Sequence, residues 1–243
     1  GQDCVVLLSL LILSYELARR DRPFASGAAI AAMLVKFHLV LLWPVALVLQ
    51  RRWKMLAGFC AMAAAGILAS VALGGFAGAR TYIALLRDKN LSHLSPSPEL
   101  MVSLDGLMAN LGIHALWIHA VIVAAVVLAF SAAVLSTPLW RLFCLAPAAS
   151  LLVAPHVYGY DAALLLLSVW LAIFYSRRPL SRVAATLLST PIPFGFALAG
   201  KPWAIVSSAC LLAVFLILAS EAFPQSAAGD ATNRYPTPRT VSK

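Results

Sequence analysis

The sequence predicts an all-α fold, a polytopic transmembrane helix bundle, on three observations. Of its 243 residues, 62% are hydrophobic and 11% charged, whereas soluble domains carry about 25% charge. The apolar residues are gathered into long runs, several approaching the roughly 20 residues needed to cross a bilayer. The basic residues fall in the short loops between those runs, as the positive-inside rule requires. The net charge of +9 therefore reports topology, and no nucleic-acid partner is expected.

Taken in order, the runs Asp3 to Ala18, Met55 to Gly75, Ile113 to Thr137, Leu139 to Ala154, Ala162 to Tyr175, Val183 to Ala199 and Trp203 to Ser220 predict about seven spanning helices. The loops Arg19 to Arg22, Gln50 to Lys54, Arg141 and Arg177 to Arg182 hold ten basic residues against one acidic, which places them in the cytoplasm. Both flanks of the run Ala25 to Leu49 are then cytoplasmic, and a single crossing cannot satisfy that. Lys36-Phe37-His38 and Pro44 divide the run into halves of about 11 residues, each about 17 Å long as helix. A hairpin of two short helices follows, with Lys36 and His38 near its apex. Irregular backbone at that depth requires surrounding protein or a water-filled cavity.

Gly1 to Asp3, the loop Phe76 to Gly112, the segment Pro155 to Asp161 and Gly200 to Pro202 then all face outward. Within the long loop, Gly78 to Asp88 has the pattern of an amphipathic interfacial helix, and Ser95-Pro96-Ser97-Pro98 ends it. Val102 to Leu111 resumes a helical pattern, with Ser103 as its cap. Trp43, Trp117, Trp140 and Trp203 sit near predicted boundaries and read as membrane anchors. The chain divides into a helix bundle over residues 1–221, incomplete at its N-terminus, and a disordered cytoplasmic tail over 222–243.

The segment Pro155-His156-Val157-Tyr158-Gly159-Tyr160-Asp161 carries the densest chemistry. Polar groups at the end of a membrane helix are costly and mark function by default. Lys36 is an intramembrane cation on the same side. Candidate substrate-binding residues are Lys36, His38, His156, Tyr158, Tyr160, Asp161 and Gln2. The structural alternatives are a snorkelling or bundle-paired Lys36, helix-end caps at His156 and Asp161, and an aromatic belt at Tyr158 and Tyr160. Cys4, Cys60, Cys144 and Cys210 lie singly in apolar runs and read as small hydrophobic packing, with no disulfide. His93, His114 and His119 have no metal-ligand spacing and read as loop or interfacial residues; no metal and no cofactor is expected.

Several patterns together resemble glycosyltransferase family 87 of the GT-C superfamily. They are Gly1-Gln2 opening a helix, Gly27 and Lys36 in a broken helix ending at Arg51-Arg52-Trp53, Ser103-Leu104 with Gly106-Leu107, and the Pro155-His156-x-Tyr158-x-Tyr160-Asp161 motif. Where that family usually has proline soon after the lysine, Phe37-His38 stands here. The resemblance implies transfer of a sugar, mannose in related enzymes, from a polyprenyl-phosphate donor to a lipid or glycan acceptor. It also implies a multi-pass protein of the bacterial inner membrane, surrounded by membrane lipids, with its active face outward. The acidic general base of such enzymes lies in their first outer loop, which would fall upstream of Gly1. A transporter or flippase and a non-catalytic membrane subunit are the other classes compatible with the pattern; a transporter should show repeated halves, and no second copy of the Lys36 hairpin is present.

Overall fold

The computed structural model describes residues 3–87 and 98–223. Gln2, the Ser95 to Ser97 break and the tail beyond Phe223 lie outside the described residues. Within them the chain is helical, and its one strand-like feature is an isolated antiparallel bridge between Met101 and Tyr158. Eleven α-helices are described: α1 Asp3–Arg19, α2 Pro23–Ala32, α3 Trp43–Leu49, α4 Trp53–Arg87, α5 Leu104–Leu111, α6 Leu116–Val134, α7 Leu139–Val153, α8 Leu165–Tyr175, α9 Pro179–Leu188, α10 Ile192–Leu198 and α11 Ile205–Ser220. Three apolar helical stretches, Pro23–Val40, Trp53–Thr81 and Leu116–Val134, are long enough to cross a membrane. Leu139–Val153, Asp161–Tyr175 and Ile205–Ser220 are shorter apolar helices. The architecture is the all-α membrane bundle that the composition predicts.

The centre of the bundle is α7, whose residues from Leu142 to Leu152 are all buried. Phe143 of α7 meets Tyr15 of α1 edge to face at 5.2 Å and Trp43 of α3 at 4.8 Å. Such rings bury large apolar areas and favour these tilted contacts. Trp43 is fully buried, so it is a core residue and not the interfacial anchor its position in sequence suggests. The turn before α3 rotates it inward. Trp117 and Trp203 remain exposed.

The broken helix forms as the basic flanks require. After α2 the chain tightens into a 3-10 helix, Met33–Val40, inside which Lys36 adopts a non-helical backbone (φ −122, ψ 70). Pro44 sits in the first turn of α3, where its missing N–H costs nothing. Beyond α3, Gln50 Nε2 donates to Val134 O at 2.8 Å and Thr137 O at 3.0 Å, at the end of α6. Tyr15, one turn before Arg19, packs on Phe143, one turn into α7. Both flanks of the hairpin thus gather at the α6–α7 end. Cysteines placed at Arg22 and Arg51 should be labelled from the same membrane side by an impermeant thiol reagent; labelling from opposite sides would refute the hairpin.

Helix α4 continues through the predicted boundary at Gly75, but the backbone breaks there (φ 66, ψ 173). Only glycine adopts that conformation without strain. Residues 76–87 are therefore a second helical segment, as the amphipathic pattern predicts. A difference arises at Val183 to Ala199, which is not one span. It is divided into α9 and α10 around Ser189 to Pro191, where Ser189 Oγ donates to Thr186 O at 2.6 Å and Thr190 Oγ1 to Leu187 O at 2.7 Å. Thr190 thereby caps the Leu187 carbonyl that Pro191, lacking an N–H group, cannot serve.

Helices α2 and α4 approach through glycine. A Cβ at Gly27 would lie 1.8 Å from Met55 O, and one at Gly58 1.9 Å from Phe24 O. Small residues are what allow membrane helices this close an approach. Gly27→Ala is expected to lose about 1–3 kcal/mol by forcing the backbones apart, read as a lower unfolding midpoint in detergent. Gly66→Ala is the control, because a Cβ there meets nothing within 4 Å.

Candidate functional site

At the end of the bundle opposite the basic flanks, the 3-10 turn of the hairpin meets the start of α1 and the segment after α7. Helix α7 ends at Ala154 in extended backbone, and the chain turns through Pro155 to Tyr160 into a 3-10 helix, Asp161–Leu164, that leads to α8. Asp161 heads that turn and points inward, with 2% of its surface exposed.

Three groups hold its carboxylate. Lys36 Nζ donates to Oδ1 at 3.0 Å, Cys4 Sγ donates to the same oxygen at 3.4 Å, and the Tyr158 amide donates to Oδ2 at 3.2 Å. A buried carboxylate without such partners would be too costly to ionise. The Lys36 side chain keeps 19% exposure and its ammonium lies 5.1 Å from the Tyr160 ring centre, a cation–π distance. Tyr158 and Tyr160 are tilted against each other at 5.8 Å. His38 sits within electrostatic range of Lys36, Asp161 and His156. Lys36, His38, His156, Tyr158, Tyr160 and Asp161 are thus brought into one neighbourhood from positions more than 100 residues apart in sequence.

This arrangement separates two roles. Asp161 accepts at both oxygens, and this fixes the Lys36 ammonium in place. Lys36 donates to Asp161 Oδ1 at 3.0 Å and to Cys4 Sγ at 3.9 Å, which leaves one of its three ammonium protons for a ligand at the partly open surface. Cys4, read from sequence as packing, is a donor to the carboxylate.

The segment leading into α5 packs beside this cluster. The Val102 amide donates to Val157 O at 2.9 Å, and Ser208 Oγ of α11 donates to Met101 O at 3.1 Å. Gly106 lets α5 lie against that strand-like segment, for a Cβ there would sit 1.8 Å from Met101 O. Ser103 stands at the N-cap position of α5 in extended backbone, but its side chain makes no capping bond. Glu99 pairs with Lys201 at 3.0 Å. Its backbone hydrogen bond and Lys201 hold its carboxyl below the usual range. A depressed pKa means that this contact stabilises the loop above the ordinary glutamate range and is lost as pH falls through the lowered value.

Asp105 of α5 was not among the sequence candidates, and His119 was read as a loop or interfacial residue. The structure pairs them: Asp105 Oδ1 lies 3.2 Å from His119 Nδ1, with the two side chains 28% and 29% exposed. Burial pushes the Asp105 carboxyl up, while His119 and His156 pull it down. His156 is thus within electrostatic reach of Asp105. No spacing rule joins a loop aspartate to the first turn of a later helix, so nothing local in the sequence marked it.

Neither a curated protein nor a solved structure matches the chain. The model of glycosyltransferase family 87 matches residues 1–190, a stretch that takes in the Lys36 hairpin, the outer loop and the whole His-Tyr-Tyr-Asp motif. On that match, and with its anchored lysine inside a membrane-type bundle, the chain belongs to glycosyltransferase family 87 and is a glycosyltransferase.

Proposed function

We propose that this glycosyltransferase takes its sugar, mannose by family resemblance, from a polyprenyl-phosphate donor and passes it to a lipid or glycan acceptor at the outer face of the bacterial inner membrane. The observation that carries the reading is the Lys36–Asp161 pair, a cation fixed at the broken helix beside Tyr160. When the bond between the anomeric carbon and the phosphate oxygen breaks, negative charge builds on the leaving phosphate. A cation already in place, in a site of low dielectric, stabilises that charge without reorganisation. His38 and His156 supply further hydrogen-bond donors, and the tyrosine hydroxyls orient phosphate or sugar.

The lipid tail of such a donor needs an apolar berth next to the charged head. Val35, Phe37 and Leu41, which flank Lys36, are exposed and suit contact with an isoprenoid chain or bilayer lipid. Gln2 is proposed as a further sugar or phosphate contact. Basic loops gathered at the opposite end of the bundle support an outward-facing site under the positive-inside rule.

The test is transfer in membranes containing the full-length protein, using radiolabelled polyprenyl-phosphate sugars. Label moving to a lipid or glycan product supports the reading. Transfer only from nucleotide sugars, with polyprenyl-phosphate sugars inert, would overturn it.

A further inference from the structure

Two paired groups stand at this end of the bundle, Lys36 with Asp161 and Asp105 with His119 through one carboxylate oxygen, and His156 acts electrostatically on both Asp105 and His38. We infer that Asp105 and His119 form a second subsite that binds the hydroxyl groups of a sugar ring. The inference rests on the glycosyltransferase reading for the identity of the sugar, but the subsite itself is argued from its own geometry.

The geometry is that of a prepared surface. Asp105 is held by α5, and α5 is fixed by the contact of Gly106 with the Met101 carbonyl, by the Val102–Val157 hydrogen bond and by Asn110 Nδ2, which donates to Gly106 O at 2.8 Å and Glu99 O at 2.9 Å. His119 is fixed on a different element, the first turn of α6. Two half-exposed side chains held by separate rigid elements lose little freedom when a ligand arrives. With Oδ1 engaged by His119, Oδ2 is the carboxylate atom open to a ligand, and the imidazole presents Nε2.

The chemistry of that surface selects its ligand. A carboxylate repels phosphate, so the phosphate group of a donor is drawn to the Lys36 side and away from Asp105. Hydroxyl groups donate to carboxylate oxygens and exchange hydrogen bonds with imidazole, and hydrogen bonds to charged groups are the stronger kind. A sugar ring, which offers several hydroxyls and no charge, is the ligand that fits. The ring can belong to the donor or to a glycan acceptor; both present the same hydroxyls.

The experiment compares wild type with Asp105→Asn, His119→Ala and His119→Gln, varying donor and acceptor concentration separately. Asp105→Asn should raise KM by about tenfold, as expected for a lost charge-assisted hydrogen bond, with kcat changed less than threefold. A rise confined to donor KM assigns the donor sugar; a rise confined to acceptor KM assigns the acceptor. His119→Gln, which retains a side-chain donor, should recover part of what His119→Ala loses. A fall in kcat with both KM values unchanged, or no change in either constant, would overturn the subsite. A binding readout separates this from failure of the reaction class. High concentrations of methyl mannoside, methyl glucoside or methyl galactoside should raise the unfolding midpoint of the wild-type protein in detergent, less so that of Asp105→Asn, and equally that of Lys36→Met. If no donor supports transfer yet this shift persists, the subsite stands and the proposed reaction falls. If transfer occurs but the shift and both KM values ignore Asp105, only the subsite falls.

Discussion

Lys36→Met should lower kcat by about a hundredfold or more, the loss typical when a preorganised donor to a developing oxyanion is removed, while Lys36→Arg should retain a larger share of turnover. The difference follows from where the charge acts. Methionine has similar length and no charge, so it fills the space beside Tyr160 and removes only the ammonium. Arginine keeps a cation but spreads it over a planar fork that cannot reproduce the 3.0 Å contact with Asp161 and the approach to the Tyr160 ring together. Donor KM should move less than kcat, because the leaving phosphate gains its extra charge only as the bond breaks. The measurement is initial-rate kinetics in membranes at saturating donor. Equal turnover of wild type, arginine and methionine proteins would remove Lys36 from the site.

Asp161→Asn should be damaging in a different way. The carboxylate is nearly fully buried and balances a partly buried ammonium; removing one member of such a pair strands the other. The expected destabilisation is about 3 kcal/mol, lowered somewhat by the 19% exposure that Lys36 retains. Turnover should fall as well, because the amide no longer anchors the ammonium in one position. Combining Lys36→Met with Asp161→Asn distinguishes the two effects. The double variant strands no charge, so its unfolding midpoint should lie above that of Asp161→Asn alone, a non-additivity expected of residues in direct contact. Its activity should stay as low as that of Lys36→Met. A double variant whose two losses simply add would show that the pair is not energetically coupled.

Much of the fold was legible along the chain. Long apolar runs predicted α1, α6, α7, α8 and α11, because a membrane helix must satisfy its own backbone within one continuous segment. The conflict between two basic flanks predicted the broken helix, and Lys36 is where the backbone departs from helical geometry. The divided span at Ser189 to Pro191 was missed because its hydropathy is continuous; the break depends on proline and hydroxyl bonding, which a hydropathy average does not register. Trp43 was misplaced for a related reason. Proximity to a boundary in sequence is not proximity to the interface once the chain turns back on itself.

The site divides along the same line. By itself the sequence determined the class of fold, the family and the two halves of the cluster, Lys36 with His38 and His156 to Asp161, since each is a local run whose polarity is out of place in an apolar context. Only the tertiary structure decided that Asp161 neutralises Lys36, that Cys4 donates to that carboxylate and that Asp105 meets His119 within electrostatic reach of His156. These partnerships join elements far apart in the chain, and no local periodicity encodes them. They exist because charges taken out of water must find partners, and which partners are within reach is settled by how the helices pack.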